Sequence, residues 1–253
     1  MKILVVGGGG REHAIVWKIA QSPKVDKIYC APGNGGIAEL AECVDIAATD
    51  IENMVKFAKD NAIDLVMVAP DDPLVLGMVD AMEKEGIRAF GPRANAAIIE
   101  GSKAFSKELM KKYNIPTANY EVFTDSTSAI DYIKAQNTFP TVIKADGLAL
   151  GKGVIIAKNL EEAEQAVHEM IDDGKFGKSG SRVVIEEFLT GPEVSVLAFT
   201  DGKTVKPMVS AQDHKRAYDN DEGLNTGGMG NFSPSPFYTK EVDEFCKKYI
   251  YQA

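Results

Sequence analysis

The sequence predicts an α/β protein, with an N-terminal doubly wound, open parallel sheet followed by a smaller α+β lobe. Three observations predict it. Over the first hundred residues short apolar runs alternate with helix-period patterns, the order that a parallel sheet with crossover helices produces. Four consecutive glycines, Gly7, Gly8, Gly9 and Gly10, close the first apolar run, where a strand of such a sheet turns into its helix. Beyond residue 101 the order changes to helix, strand, loop, strand, helix, strand, which suits a compact α+β unit.

Residues 2–6 read as the first strand, with a helix starting at Arg11; residues 27–30 form the second strand, a helix begins at Ile51, and residues 64–68 form another strand. Pro70-Asp71-Asp72-Pro73 precedes one apolar-periodic helix through Glu85, with Gly86 as its stop, a short strand over 87–90 and the turn Gly91-Pro92. A helical stretch from Arg93 toward Tyr113 is interrupted at Gly101-Ser102 and ends at Ile115-Pro116, because the residue before a proline avoids helical dihedrals. A domain boundary is placed near Gly101. Helix 126–136, strand 141–145, strand 154–158, helix 160–171 and strand 183–189 follow. Strands 193–200 and 204–210 are joined by the hairpin signal Asp201-Gly202-Lys203. Residues 212–236 read as a polar, Gly-rich segment without secondary structure, and the chain ends in one helix over 241–251. There is no internal repeat or low-complexity tract.

Composition narrows the function classes. With 45% hydrophobic and 26% charged residues over 253 positions, the chain has enough apolar material for one large or two modest cores. No apolar run approaches the ~18 residues of a membrane span, and the first strand leads into glycines instead of a leader cleavage site, so a soluble, cytoplasmic chain is expected. Cys30, Cys43 and Cys246 belong to no CxxC pattern, and His13, His168 and His214 lack ligand spacing, so neither a disulfide framework nor a metal ligand is assigned. A formal charge of −9 argues against nucleic acid, whose phosphates need a continuous basic surface. Small anions still fit where a few cations converge, because charges beyond roughly 10 Å are screened.

Four segments carry candidate chemistry. In Gly7-Gly8-Gly9-Gly10-Arg11-Glu12-His13 a helix N-terminus exposes unpaired amides to an anion; the alternative is a tight turn with no ligand, although four consecutive glycines exceed what a turn requires. A dinucleotide fingerprint is not met: Glu12 stands where its third glycine belongs, and no acid ends the second strand, which argues against an NAD-dependent oxidoreductase. Arg11 and His13 in a first helical turn oppose the helix dipole unless an anion sits nearby. The loop Gly147-Leu148-Ala149-Leu150-Gly151-Lys152-Gly153, with Lys144 on the strand before it, is either a phosphate-covering hairpin or an ordinary one with surface lysines; its spacing rules out a Walker A loop.

In the run Val183-Val184-Ile185-Glu186-Glu187-Phe188-Leu189 the adjacent acids face opposite sides, so one points inward, where either ligand hydroxyls or an internal Lys or Arg must satisfy it. Gln212-Asp213-His214-Lys215-Arg216 followed by Asn225-Thr226-Gly227-Gly228-Met229-Gly230 mixes carboxylate, imidazole, cations and glycines in a way no core requires, which suits close approach to a substrate. Lys103, after Gly101-Ser102, means little by itself.

These segments, together with Ala31-Pro32-Gly33-Asn34-Gly35-Gly36 and the stretch from Gly101 to Lys107 (GSKAFSK), occur in an order that resembles the phosphoribosylamine–glycine ligase family of the ATP-grasp superfamily, over essentially the whole chain. The resemblance implies an N-terminal substrate-binding domain over 1–101 of the kind that precedes an ATP-grasp fold, a linker and start of that fold over 102–119, its small lid lobe over 120–186, and part of its central domain over 187–253. It implies that ATP, with Mg2+, activates glycine as glycyl phosphate, which the amine of 5-phosphoribosylamine captures. Lys103, Lys144, Gly151, Lys152 and Gly153 would then meet nucleotide phosphates, Glu186 and Glu193 the ribose, and Glu187, Phe188 and Leu189 the adenine. Gly8, Gly9, Gly10, Arg11, Asp71, Asp213, Lys215, Arg216, Asn225, Thr226, Gly227 and Gly228 would hold the two substrates, with Lys144, Lys152, Asp213, Lys215 and Arg216 as the residues nearest the chemistry.

Two departures are visible. The family commonly has a glutamate where this chain has Asp71 followed by Asp72, and the family's later acidic and Asn metal ligands lie beyond Ala253, so these 253 residues alone are expected to be inactive. The alternatives are a nucleotide-binding ATP-grasp fragment without catalysis and another carboxylate-amine ligase of the same fold, against which the Gln212 to Arg216 segment argues.

Overall fold

The computed structural model describes residues 1–148, 153–214, 216–226 and 230–253. They divide into two compact units, Met1–Ser106 with Glu121–Ile185, and Lys107–Tyr120 with Glu186–Ala253.

The first unit opens with β1 (Lys2–Gly7), α1 (Gly10–Ala20), β2 (Lys27–Pro32), β3 (Glu42–Cys43), α2 (Ile51–Asp60), β4 (Leu65–Val68), α3 (Asp71–Val75), α4 (Met78–Lys84) and β5 (Ala89–Phe90). Its five strands lie in the order β3-β2-β1-β4-β5, and every pair is parallel. The period-2 alternation of β1 explains why both faces are covered. Leu4 and Val6 pack with Met54 of α2 and Met78, Val79 and Met82 of α4, while Ile3 and Val5 pack with Val16 of α1 and Ile37. The order reverses between β1 and β4, so the loops after these two strands flank the crevice where open α/β sheets bind ligands. Those loops carry Gly8 to Arg11 and Pro70 to Asp72.

Two helices replace the single one expected after the Pro70 motif. Gly77, at φ +90°, turns the chain between α3 and α4. Helix α3 starts inside the motif, and Pro73 is tolerated because its missing N–H falls in the first turn, where no intrahelical acceptor exists.

After α5 (Ala94–Gly101) and α6 (Lys103–Lys112) come β6 (Tyr120–Phe123), α7 (Ser126–Gln136), β7 (Thr141–Ala145), β8 (Val154–Ala157), α8 (Leu160–Ile171) and β9 (Val183–Glu187). The strands form a sheet in the order β6-β9-β7-β8, and β7 and β8 are antiparallel. Helices α7 and α8 cover one face through Ile130, Ile133, Val167 and Met170, packed on Ile143, Ala145, Ala157, Val183 and Ile185. Asp125 and Asn159 start these helices by accepting from Ser128 N and Glu162 N, which satisfies amides that would lack partners.

In the second unit the hairpin is shorter than its apolar pattern suggests: β10 (Ala198–Thr200) pairs with β11 (Val205–Pro207), and the Asp201 carboxylate accepts from Lys203 N and Thr204 N in the turn. Leu197, Phe199 and Val209 are more than half exposed. The expectation of an unstructured 212–236 is corrected. β12 (Gln212–Asp213) pairs with β15 (Asn231–Phe232), and β13 (Arg216–Tyr218) with β14 (Glu222–Asn225). Strands of two to four residues are too short to show alternation, and the left-handed turn positions fall on Asn220 (φ +60°) and Gly223 (φ +84°). Helix α9 (Lys240–Cys246), capped by Thr239, continues into a wider turn over Lys247–Tyr251. Among the described residues no helix is long and apolar enough to cross a membrane.

Candidate functional site

Strand β1 ends at Gly7, whose φ of +121° suits only glycine, and a Cβ there would lie 2.6 Å from Glu12 Cγ and 2.9 Å from Pro70 Cγ. A Cβ on Gly8 would lie 2.6 Å from the Gly33 carbonyl oxygen, and Asn34 Nδ2 donates to Gly8 O at 2.9 Å. The loops after β1 and β2 therefore pack backbone to backbone, which explains several glycines without a ligand. His13 is explained the same way, since its ring lies against Gly36, where a Cβ would come within 2.7 Å.

Buried Glu12 accepts from Gly9 N at 2.6 Å, so one amide that the sequence offered to an anion is taken by the helix's own carboxylate. Among the described residues the amides of Gly10 and Arg11 remain without an acceptor, because the first residues of a helix have no intrahelical one.

Arg11, Asp71, Lys103 and Gly153 were picked from four separate segments, and the first unit brings all four to one cleft of about 450 Å³. Asp72 and Glu100 line it too. With Glu12 also on its wall, the cleft has two cations and four carboxylates, which suits a ligand that carries both an anionic group and an amine.

The mouth of the glycine loop closes this cleft on one side. Lys103 Nζ donates to Gly147 O at 2.9 Å, and Gly153 O accepts from Ala145 N at 2.8 Å. Ser179 packs so closely on Gly147 that a side chain has no room there. Lys144 is half-buried at the register position opposite Val154. Since Ile143 and Ala145 face the helices, alternation puts Lys144 on the other face of the sheet. Gly151 and Lys152 lie outside the described residues.

Asp146, directly after β7, was not singled out from the sequence, yet it is the centre of a polar cluster. Its carboxylate accepts from Ser102 Oγ at 3.0 Å, Ala104 N at 2.7 Å and Arg182 Nε at 2.9 Å. A short acidic residue between an alanine and a glycine gives no sign in sequence that its partners stand some forty residues away.

In the second unit Glu186 is the inward acid of its pair, as alternation requires. Its Oε2 meets Lys107 Nζ at 3.0 Å, so the internal ion pair left open by the sequence is present. Lys107 also donates to Thr117 Oγ1 at 2.7 Å and lies 5.6 Å from the centre of the Tyr120 ring. Glu187 is exposed, and its carboxylate accepts from Asn119 N and Nδ2. Phe188, Leu189 and Glu193 are exposed. Asp213 is half-buried opposite Asn231, whereas Arg216 Nη1 donates to Gly223 O at 2.7 Å and so braces its own hairpin. The Asn225 backbone pairs with Arg216, and Thr226 is half-buried. Lys215, Gly227 and Gly228 lie outside the described residues.

Comparison with known proteins covers the whole chain. Residues 1–100 match the family model described as phosphoribosylglycinamide synthetase, N domain, and residues 101–253 match its ATP-grasp (A) domain. A phosphoribosylamine–glycine ligase of Haemophilus influenzae is 54% identical over 99% of this chain and 59% of its own length. One from Halalkalibacterium halodurans is 55% identical over 94% of this chain and 56% of its own length. The crystal structure of the ligase from Thermotoga maritima superposes with a TM-score of 0.81 at 32% identity, covering 98% of this chain and 60% of that one. The chain thus spans about three-fifths of the length of the relatives it matches.

Proposed function

Because the chain belongs to the phosphoribosylglycinamide synthetase family, we propose that the protein carrying it joins glycine to 5-phosphoribosylamine with ATP, forming glycinamide ribonucleotide for purine synthesis. The observation that carries this reading is the convergence of Arg11, Asp71, Lys103 and Gly153 on one cleft. The cleft lies at the reversal of strand order, where an α/β sheet receives its ligand.

In this reading a glycine carboxylate oxygen attacks the γ-phosphorus of ATP and ADP leaves, giving glycyl phosphate. The amine nitrogen of phosphoribosylamine then bonds to the acyl carbon, the acyl C–O bond breaks with release of phosphate, and the amine loses a proton. The protein's task is positioning and charge neutralisation. Lys103, Lys144 and Lys152, with the Gly151 and Gly153 backbone, hold the phosphates. Glu186, its charge balanced by Lys107, and Glu193 face the ribose, while the backbone over 187–189 reads adenine, since the Glu187 carboxylate already binds Asn119.

Gly8, Gly9, Gly10, Arg11 and Asp71, with Asp213, Lys215, Arg216, Asn225, Thr226, Gly227 and Gly228, hold glycine and the ribose phosphate. The loop over 147–153 shields the acyl phosphate from water. Magnesium accompanies ATP in such chemistry, but among the described residues no group of three or more acidic, His or Cys side chains is placed to hold a metal, so no step here is routed through one. Soluble metabolites as substrates go with a cytoplasmic enzyme. Glycine-dependent ADP release that also requires phosphoribosylamine tests the reading.

A further inference from the structure

We infer that Asp146 is a positioning residue that fastens the N-terminus of α6, and with it the Lys103 ammonium, to the mouth of the glycine loop. Helix α5 stops at Gly101 and α6 starts at Lys103, so the chain presents a fresh helix N-terminus, with unpaired amides, beside the cleft. Three of those amides are satisfied locally. Lys103 N donates to Asp146 O at 3.0 Å, Ala104 N to Asp146 Oδ1 at 2.7 Å, and Phe105 N to Ser102 Oγ at 3.1 Å. Two of the three acceptors belong to Asp146, and the third, Ser102 Oγ, itself donates to Asp146.

A carboxylate at this position also complements the helix dipole. Arg182 balances its charge through Nε and Nη2, and Asp146 N donates to Arg182 O at 3.0 Å, so the clamp ties the residue after β7 to the residue before β9. Lys103 Nζ donates to the carbonyl of Gly147, the first residue of the loop, and Lys103 lines the cleft. The clamp thus sets the distance between Lys103 and the loop, the two elements assigned to the same phosphates.

The inference rests on the proposed role of Lys103 at the nucleotide. Its test is a double-mutant cycle in the full-length protein that carries this sequence, read as KM for ATP, KM for glycine and kcat. Asp146→Asn keeps the shape but puts an amide NH2 against at least one donor. It is expected to raise KM for ATP about tenfold, the size of one charge-assisted phosphate contact, and to leave KM for glycine within about twofold. In a Lys103→Ala background the same change is expected to add almost nothing, because Asp146 acts through Lys103. Ser102→Ala, which loosens the clamp with the carboxylate in place, is expected to give a smaller rise of about threefold with the same lack of additivity; it carries the test if Asp146→Asn does not fold. Effects that add in full, or that raise the KM values for ATP and glycine equally, would show a merely structural role and overturn the inference. An unchanged KM for ATP in Lys103→Ala alone would instead remove Lys103 from the nucleotide site, and the inference with it. If the protein proves to bind ATP without ligating glycine, the same cycle read by calorimetry still decides the role of Asp146.

Discussion

Lys107 and Glu186 form a buried ion pair, Nζ to Oε2 at 3.0 Å, in which the side chains are 9% and 6% exposed. Removing one partner strands the other charge away from water, which typically costs about 3–5 kcal/mol. Lys107→Ala is therefore expected to destabilise the protein by an amount of that order, seen as a lower urea midpoint at an unchanged slope. Replacing both partners, Lys107→Met with Glu186→Leu, is expected to recover most of the stability but not the affinity for ATP. Full recovery of ATP affinity would exclude Glu186 from the ribose site.

The glycines at the turn after β1 separate into two kinds. Gly8→Ala forces a Cβ against the Gly33 carbonyl oxygen, a backbone atom with little freedom, and is expected to cost about 1–3 kcal/mol of stability. A Cβ on Gly10 meets nothing within 4 Å, so Gly10→Ala should fold within about 0.5 kcal/mol of the parent. Its methyl group would stand where the substrate phosphate is proposed to meet the helix amides, so the KM for phosphoribosylamine should rise several-fold. An unchanged KM would move the phosphate elsewhere.

Lys144 projects from the sheet face opposite α7 and α8, and the nucleotide is proposed to lie on that face. Lys144→Ala should weaken ATP binding by about 1.5–3 kcal/mol, a loss of roughly ten- to 150-fold. Calorimetry that finds the parent affinity removes Lys144 from the site.

Burial pushes the Cys30 thiol up to about 12, and its Sγ donates to Gly7 O. At pH 8 only about one molecule in ten thousand would carry the thiolate, the reactive form. Cys43, its register partner on β3, is exposed. Iodoacetamide is expected to label Cys43 in the folded protein and to spare Cys30 until denaturant is added. Rapid labelling of Cys30 under native conditions would contradict the packing of β2 against Gly7.

Much of this fold was legible because its signals are local. The apolar runs at residues 2–6 and 141–145 and the helix over 126–136 carry their periodicity and their caps within a dozen residues. The break at Gly101-Ser102 was equally plain. The helix after Pro70 was misjudged because one glycine, Gly77, outweighs an unbroken apolar pattern by adopting φ +90°. The short strands over 212–232 were missed because their pairing, Asp213 with Asn231 and Arg216 with Asn225, is set between strands and not along them. The same reason hid the partners of the site. Arg182 as the partner of Asp146, Lys107 as that of Glu186, and Asn34 as that of Gly8 are long-range pairings that no local signal selects. Arg11, Asp71 and Lys103 could be picked singly, but only the strand order brings them to one cleft.

The proposal is that the full-length protein carrying this chain binds ATP in order to activate glycine for capture by phosphoribosylamine. The most direct measurement is ADP release by the purified full-length protein that carries this sequence, followed while each substrate is omitted in turn and while glycine is replaced by other small carboxylic acids. The account predicts release that needs both glycine and phosphoribosylamine and yields one glycinamide ribonucleotide per ADP, with a large loss in Lys103→Ala. Stoichiometric amide formation from a different carboxylic acid, or ADP release indifferent to phosphoribosylamine, would contradict it.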